Sequence, residues 1–292
     1  MAMNSAYRSS AQIFEQVSIR QNPGMLEQLR AIKDGEIVVV KGQYDHVEKL
    51  LDTLKVPYAL IDSEAVTKNN GGRVMFANCK AYDTGAPVTA VRDFVSEGGR
   101  LVSTDWSLGL VTKAFPKKLH KVNQTTGSGN NDVVEVEAHT DIGRRFMGLN
   151  YAQCHPQWWL EGSSHVYDIE QGVVPLIMSE EMEERYGKPY IAVGFPEGKG
   201  EVFHFISHLE LQRTRLKSKT DEGTLDDFLA KMKVSKTAEM EEAKVAELEA
   251  AYSTLNTLAH LCIPTPILNS GGKSVLVKPG TSTGSAKSSR LA

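Results

Sequence analysis

Three cysteines, Cys79, Cys154 and Cys262, and the histidines scattered around them are the residues in this chain whose types invite a chemical reading first. No two of the cysteines stand in a Cys-x-x-Cys spacing, and an odd number cannot pair off. Neither a disulfide framework nor a structural zinc site is therefore written in them. Cys154-His155, with His139, Asp141 and His165, offers metal-ligand types. They fall on different expected segments without the spacing that converges on one ion, so they read as structural and no metal is expected. A lone cysteine such as Cys79 is more often a small buried apolar group than a nucleophile. Trp158-Trp159 beside Pro156 reads as a packing anchor or pocket wall, because no basic stripe accompanies it as a nucleic-acid stacking platform requires. Gly-x-Gly-x-x-Gly, Walker A and His-Glu-x-x-His patterns do not occur, and no cofactor is expected.

Composition narrows the classes further. A chain of 292 residues that is 41% hydrophobic and 24% charged can bury a full core as one large domain or two small ones. A formal net charge of -3 and a pI near 6.3 leave no global field to draw in nucleic acid or an anionic membrane, so neither partner is expected. The start of the chain, from Met1 through Ser5, Arg8 and Ser9, has no apolar h-region. No later stretch approaches the roughly 20 apolar residues of a membrane span. With unpaired cysteines, this reads as a cytoplasmic chain.

The elements that must position any site follow from periodicity. Ile13, Val17, Leu26, Leu29 and Ile32 recur at helical spacing, broken at Asn22-Pro23-Gly24, and predict two leading helices. Glu36 to Val40 is an unbroken β-branched run, the signature of a strand buried on both faces of a parallel sheet. Val47, Leu50, Leu51 and Leu54 predict a helix, Tyr58 to Ile61 a strand, and Arg73 to Ala77 another. Val91, Phe94 and Val95 predict a helix closed at Gly98-Gly99, followed by a strand at Leu101 to Thr104 and a helix from Ser107. Strand and helix thus alternate four times, which implies a doubly wound parallel sheet with its ligand crevice at the carboxyl ends of the strands. Strands are also expected at Val133 to Glu137, near His165 to Ile169 and at Val173 to Met178. Tyr190 to Phe195 and Glu201 to Ile206 flank Pro196-Glu197-Gly198-Lys199-Gly200 and read as an antiparallel hairpin, with His208 just beyond it.

Certain segments also resemble a known superfamily. Tyr44-Asp45-His46-Val47-Glu48-Lys49-Leu50-Leu51, Phe94 to Leu101, and Gly198-Lys199-Gly200-Glu201-Val202 running into His208-Leu209-Glu210 are similar to class I glutamine amidotransferase-like proteins, in the trehalose-utilisation (ThuA-like) branch. The resemblance covers roughly Gly35 to Glu210 plus the last helix. It implies a flavodoxin-like fold, with a mostly parallel sheet, helices on both faces, a late β-hairpin and C-terminal helices. In that superfamily a cysteine at a sharp strand-to-helix turn is the nucleophile, and a His-x-Glu pair after a late strand supplies base and orienter. His208 and Glu210 match the pair. The nucleophile does not match: one register puts Asp105 at the turn, the other Ser107, and neither is cysteine. An oxyanion donor would fall at Asn78-Cys79-Lys80.

Two functions follow from that departure. In the first, favoured because its register needs no insertion, the chain is a degenerate, non-catalytic binding or scaffold module. A crevice around Asn78, Cys79, Asp105, Trp106, His208 and Glu210 holds a small ligand or peptide, and the charged residues 212–249 dock a protein partner. In the second, Ser107, His208 and Glu210 form a hydrolase triad acting on an amide or ester, although Trp106 precedes Ser107 where the elbow needs a compact residue. The expected organisation is an N-terminal helical extension (1–34), the α/β domain (35–211), a charged helical arm (212–247), a helix packing on the core (248–268) and a disordered tail (269–292).

Overall fold

The computed structural model describes residues 2–67, 72–82, 87–127, 132–149, 154–210, 212–215 and 223–268. The expected tail and part of the turn-rich stretch before Val133 lie outside them. Two helices lead: α1 (Ala2–Gln21) and α2 (Pro23–Arg30), with Pro23 at the first position of α2, where its missing N–H costs nothing. The parallel half then runs β1 (Ile37–Val40), α3 (Val47–Leu54), β2 (Ala59–Ile61), β3 (Val74–Ala77), α4 (Val88–Ser96), β4 (Arg100–Thr104) and α5 (Leu108–Ala114). Among the described residues, only a single 3-10 turn at Ser63–Ala65 lies between β2 and β3. The strands and helices expected in this half all form, with β2 at the edge of the sheet.

An insertion follows: β5 (Leu119–Thr125), β6 (Asp132–Glu135), β7 (Glu137–Ala138), α6 (Asp141–Met147), β8 (Gln157–Leu160), β9 (His165–Ile169), β10 (Val174–Met178) and α7 (Glu180–Tyr186). The hairpin β11 (Tyr190–Glu197) and β12 (Gly200–Phe205) ends the sheet region, and α8 (Leu225–Met232) and α9 (Val245–Cys262) close the chain. Gly198, at φ +57°, makes the hairpin turn.

One eight-stranded sheet has the order β2-β1-β3-β4-β12-β11-β10-β7. The five strands from β2 to β12 are mutually parallel, and β11, β10 and β7 continue it antiparallel. The parallel part is the flavodoxin-like 2-1-3-4-5 order, with β12 in the fifth place. Strand order reverses between β1 and β3. Helix α3 packs with α1 and α9, and α4 with α5, the division over two faces that right-handed crossovers impose where strand order reverses. Fully buried β-branched runs such as Ile37–Val40 explain why these strands are central.

Helix α9 is apolar nearly all round and buried along almost its whole length, packed on α1, α6 and β8. Its Ser253, Thr254 and Thr257 hydroxyls donate to carbonyls three or four residues back, which satisfies them inside the core. The charged segment before it lies along α1. Arg20 donates to the Met232 carbonyl at 2.8 Å, Thr237 to Gln12 at 2.8 Å and Ser9 to the Glu239 carbonyl at 3.1 Å. Behind the sheet, Arg100 and Glu201 form a buried ion pair at 2.9 Å that also holds the stretch after α9. Arg100 donates to the carbonyls of Leu261, Ile263 and Thr265, and Glu201 accepts from the amides of Ile267 and Leu268. Among the described residues, no helix is long and apolar enough to cross a membrane.

Candidate functional site

The carboxyl ends of β1, β3, β4 and β12 meet at the topological switch point, where a doubly wound sheet places ligands. At the end of β4 the chain turns sharply: Asp105 has φ +44°, a strained value for a residue with a side chain, and a 3-10 turn leads into α5. Such a turn lifts its first side chain off the sheet, as in a nucleophile elbow, and that side chain is an aspartate. The register with Asp105 at the bend is the one the chain adopts. Ser107 lies two residues on, buried, and donates to the Asn78 carbonyl at 2.7 Å.

Asp105 meets partners from two other strands. His208, after β12, holds Nε2 at 3.2 Å from Asp105 Oδ2, and Cys79, after β3, donates its thiol to the same oxygen at 3.3 Å. Glu161, just past β8, places Oε2 at 3.1 Å from His208 Nε2. The one Nε2 hydrogen serves Asp105, so Glu161 Oε2 has no hydrogen bond and its attraction to the ring is purely electrostatic. Cys79, Asp105 and His208 are at most 2% exposed, and Glu161 alone is partly open, its side chain 26% exposed.

The scaffold behind these side chains is specific. Asp45, fully buried after β1, accepts from the amides of His46, Leu209 and Glu210, which pins the turn carrying His208. Gly42 lets the β1 loop approach the β3 loop: a Cβ there would stand 2.5 Å from the Asn78 side chain and the Cys79 carbonyl. Asn78 in turn donates to Glu48 at 2.9 Å and accepts from the Val47 amide, fixing the start of α3. Gln212 receives the Trp159 amide at 2.7 Å and donates to the His208 carbonyl, tying β8 to the same turn.

Electrostatics follow from this crowding. Burial opposes a charge on His208, yet Asp45, Asp105 and Glu161 outweigh it and hold the ring's pKa up at about 9. Burial pushes the Glu161 carboxyl up, opposed by His208 and reinforced by Asp105 and Asp45. Burial, then the neighbouring Asp105, drives the Cys79 thiol far up, the opposite of an activated nucleophile.

Of the residues singled out in the sequence, the fold brings Cys79, Asp105 and His208 into contact and packs Asn78 and Trp106 beside them. Ser107 and Glu210 make no hydrogen bond to His208: Ser107 is turned to Asn78, and Glu210 pairs with Lys49 at 3.3 Å, leaving its Oε2 unpartnered, as is His208 Nδ1. The expected crevice lies beneath the β8 segment. Trp106 donates from its indole to the Ser163 carbonyl at 3.1 Å, and Trp159 stands edge-on to His208 at 6.0 Å, so the segment around Leu160 roofs the strand ends. Three cavities, of about 560, 690 and 370 Å³, lie elsewhere: at the amino ends of β3, β4 and β12, among α1, α2 and α3, and among α1, α6 and α9. Sequence reading missed Glu161 and Asp45 as site residues. Asp45 sits within a quoted motif, whereas Glu161 carries no local signal, because only the insertion's path brings it over the sheet.

Fold and site together define a doubly wound α/β protein with an elbow at the fourth strand and an aspartate on that elbow. No family model matches the sequence, and no curated protein matches it. Among solved structures, the chain is similar to a glutamine amidotransferase from Methylobacillus flagellatus, at 12% identity and a TM-score of 0.49 over 79% of this chain and 94% of that one. It is similar also to a ThuA-like protein from Bacteroides uniformis, at 11% and 0.40 over 59% and 82%. A third likeness is to a β-galactosidase from Rahnella sp. R3, at 14% and 0.45, where the match covers 61% of this chain and spans 29% of that one. Similarity this low carries no information about activity.

Proposed function

We propose that the chain is a non-catalytic, degenerate member of the class I glutamine amidotransferase-like proteins, a binding module whose elbow holds a ligand and performs no acyl transfer. One observation carries this reading. The side chain lifted by the elbow is the Asp105 carboxylate, already held by His208 and Cys79, while the Ser107 hydroxyl two residues on is spent on a backbone carbonyl. A nucleophile needs a base within hydrogen-bond reach, and neither Ser107 nor Cys79 has a hydrogen bond to His208. The burial of Cys79, Asp105 and His208 beneath the β8 segment favours a small ligand over a peptide. Partner docking by residues 212–249 belongs to this proposal for side chains other than those facing α1, where Thr237 and Glu239 are already bonded.

Serine-directed fluorophosphonate labelling of the folded chain tests the reading, and no adduct is expected. An adduct that disappears in Ser107→Ala and persists in Asp105→Asn would establish the Ser107, His208 and Glu210 hydrolase instead.

A further inference from the structure

We propose that the ligand of this site is a borderline-soft divalent cation of the zinc class, held by Cys79 Sγ, Asp105, Glu161 and His208 Nε2. Resting on the non-catalytic reading of the elbow, this gives that reading an occupant. The four ligand atoms come from four separate places along the chain and all lie within 4.8 Å of one another. Four donors around zinc, at about 2.0–2.3 Å, stand about 3.3–3.7 Å apart. Three of the contacts here are 3.1–3.3 Å, so small side-chain rotations close the tetrahedron.

The chemistry of the donor set selects the ion. Thiolate, imidazole and two carboxylates suit zinc, cobalt or ferrous iron, whereas magnesium and calcium want oxygen alone. Accessibility suits an ion too: Cys79, Asp105 and His208 are buried, and of the four ligands Glu161 alone is partly exposed, which gives an ion an entry.

An unpartnered carboxylate oxygen points the same way. Asp105, Glu161 and the nearby Asp45 crowd one imidazole, and Asp105 Oδ1, buried, has no hydrogen-bond partner. Burying carboxylates without full compensation is costly, and an entering dication, which displaces two protons, one from the Cys79 thiol and one from His208 Nε2, leaves the net charge as it was but gives both carboxylates a direct partner in place of one shared hydrogen. Because Glu161 belongs to the insertion and the other three ligands to the parallel sheet, the bound ion staples the β6–β8 ribbon over the strand ends. With four protein ligands the site is of the closed, structural kind.

The full chain, stripped with chelator and dialysed, is titrated with CoCl₂ and ZnCl₂. One equivalent of Co²⁺ should give the visible bands of four-coordination and a near-ultraviolet thiolate-to-cobalt charge-transfer band. Zn²⁺ should erase both and raise the Tm, while Mg²⁺ and Ca²⁺ leave them unchanged. Cys79→Ser should lose the charge-transfer band, Glu161→Gln should weaken binding at least about tenfold, and Cys154→Ala should behave as the parent. Glu161→Gln changes a partly exposed side chain, so it decides the matter even if Cys79→Ser fails to fold. No uptake of either ion by the folded chain, or uptake unaltered in Glu161→Gln, overturns the proposal. Either result with a silent fluorophosphonate leaves the non-catalytic reading standing, and only labelling at Ser107 removes that.

Discussion

Asp45 and His204 show how single buried side chains hold this site and the sheet beneath it. Asp45 answers three backbone amides, two of them in the turn after β12. Asp45→Ala leaves those donors without an acceptor and should cost about 2–4 kcal/mol in urea denaturation. His204 lies fully buried in β12, hydrogen-bonded through Nδ1 to Ser103 at 2.9 Å and edge-on to Tyr167. Burial, with Lys121 nearby, pushes its pKa down to about 3. Its folded value thus lies below its unfolded one, near 6.5, so the unfolded chain binds the extra proton. Stability present above pH 6.5 is lost as the pH falls from there toward 3, by on the order of a few kcal/mol. The acid limb of stability against pH should be shallower in His204→Phe. Cysteine exposure gives a third check: brief alkylation of the native chain, read by mass spectrometry, should modify half-buried Cys154 and spare buried Cys79 and Cys262.

Between elements, the Arg100–Glu201 pair couples β4, β12 and the stretch after α9, with both side chains 4% exposed. Desolvating two charges is expensive, so the pair is stabilising only while both members and their carbonyl and amide partners are present. Glu201→Gln or Arg100→Met alone should destabilise by about 3–5 kcal/mol, since each strands a buried charge. The double variant Arg100→Met/Glu201→Gln should cost clearly less than the sum, a coupling measurable in a double-mutant cycle by chemical denaturation. The pairing was hidden in the sequence, where the two residues stand far apart inside two unremarkable strand starts. By contrast, the strands themselves were legible: Ile37–Val40, Val74–Ala77 and the Tyr190–Phe205 hairpin fall where unbroken apolar runs and the Gly198 turn put them. The short β7 and the charged β5, buried at one residue of seven, were not, because a strand that pairs at an edge needs no apolar period.

At the scale of the whole chain, α1 and α9 act as a central spine. Ile13 and Phe14 of α1 are buried, and the Tyr7 hydroxyl donates to the Glu210 carbonyl at 2.7 Å, beside the site. Removing residues 2–21 should therefore abolish a single cooperative thermal transition, followed by circular dichroism, and should not merely trim a tail. The sequence by itself determined the parallel half of the sheet, the late hairpin and the terminal helix, because periodicity, β-branched runs and turn glycines act over a few residues. Only the tertiary structure decided that Asp105 occupies the bend, that Cys79 and His208 meet it, and that Glu161 crosses from the insertion to reach His208. Those contacts depend on which strands lie side by side and where an 85-residue-scale detour returns, roughly the stretch between α5 and β12, and long-range pairing of that kind leaves no local trace in residue order.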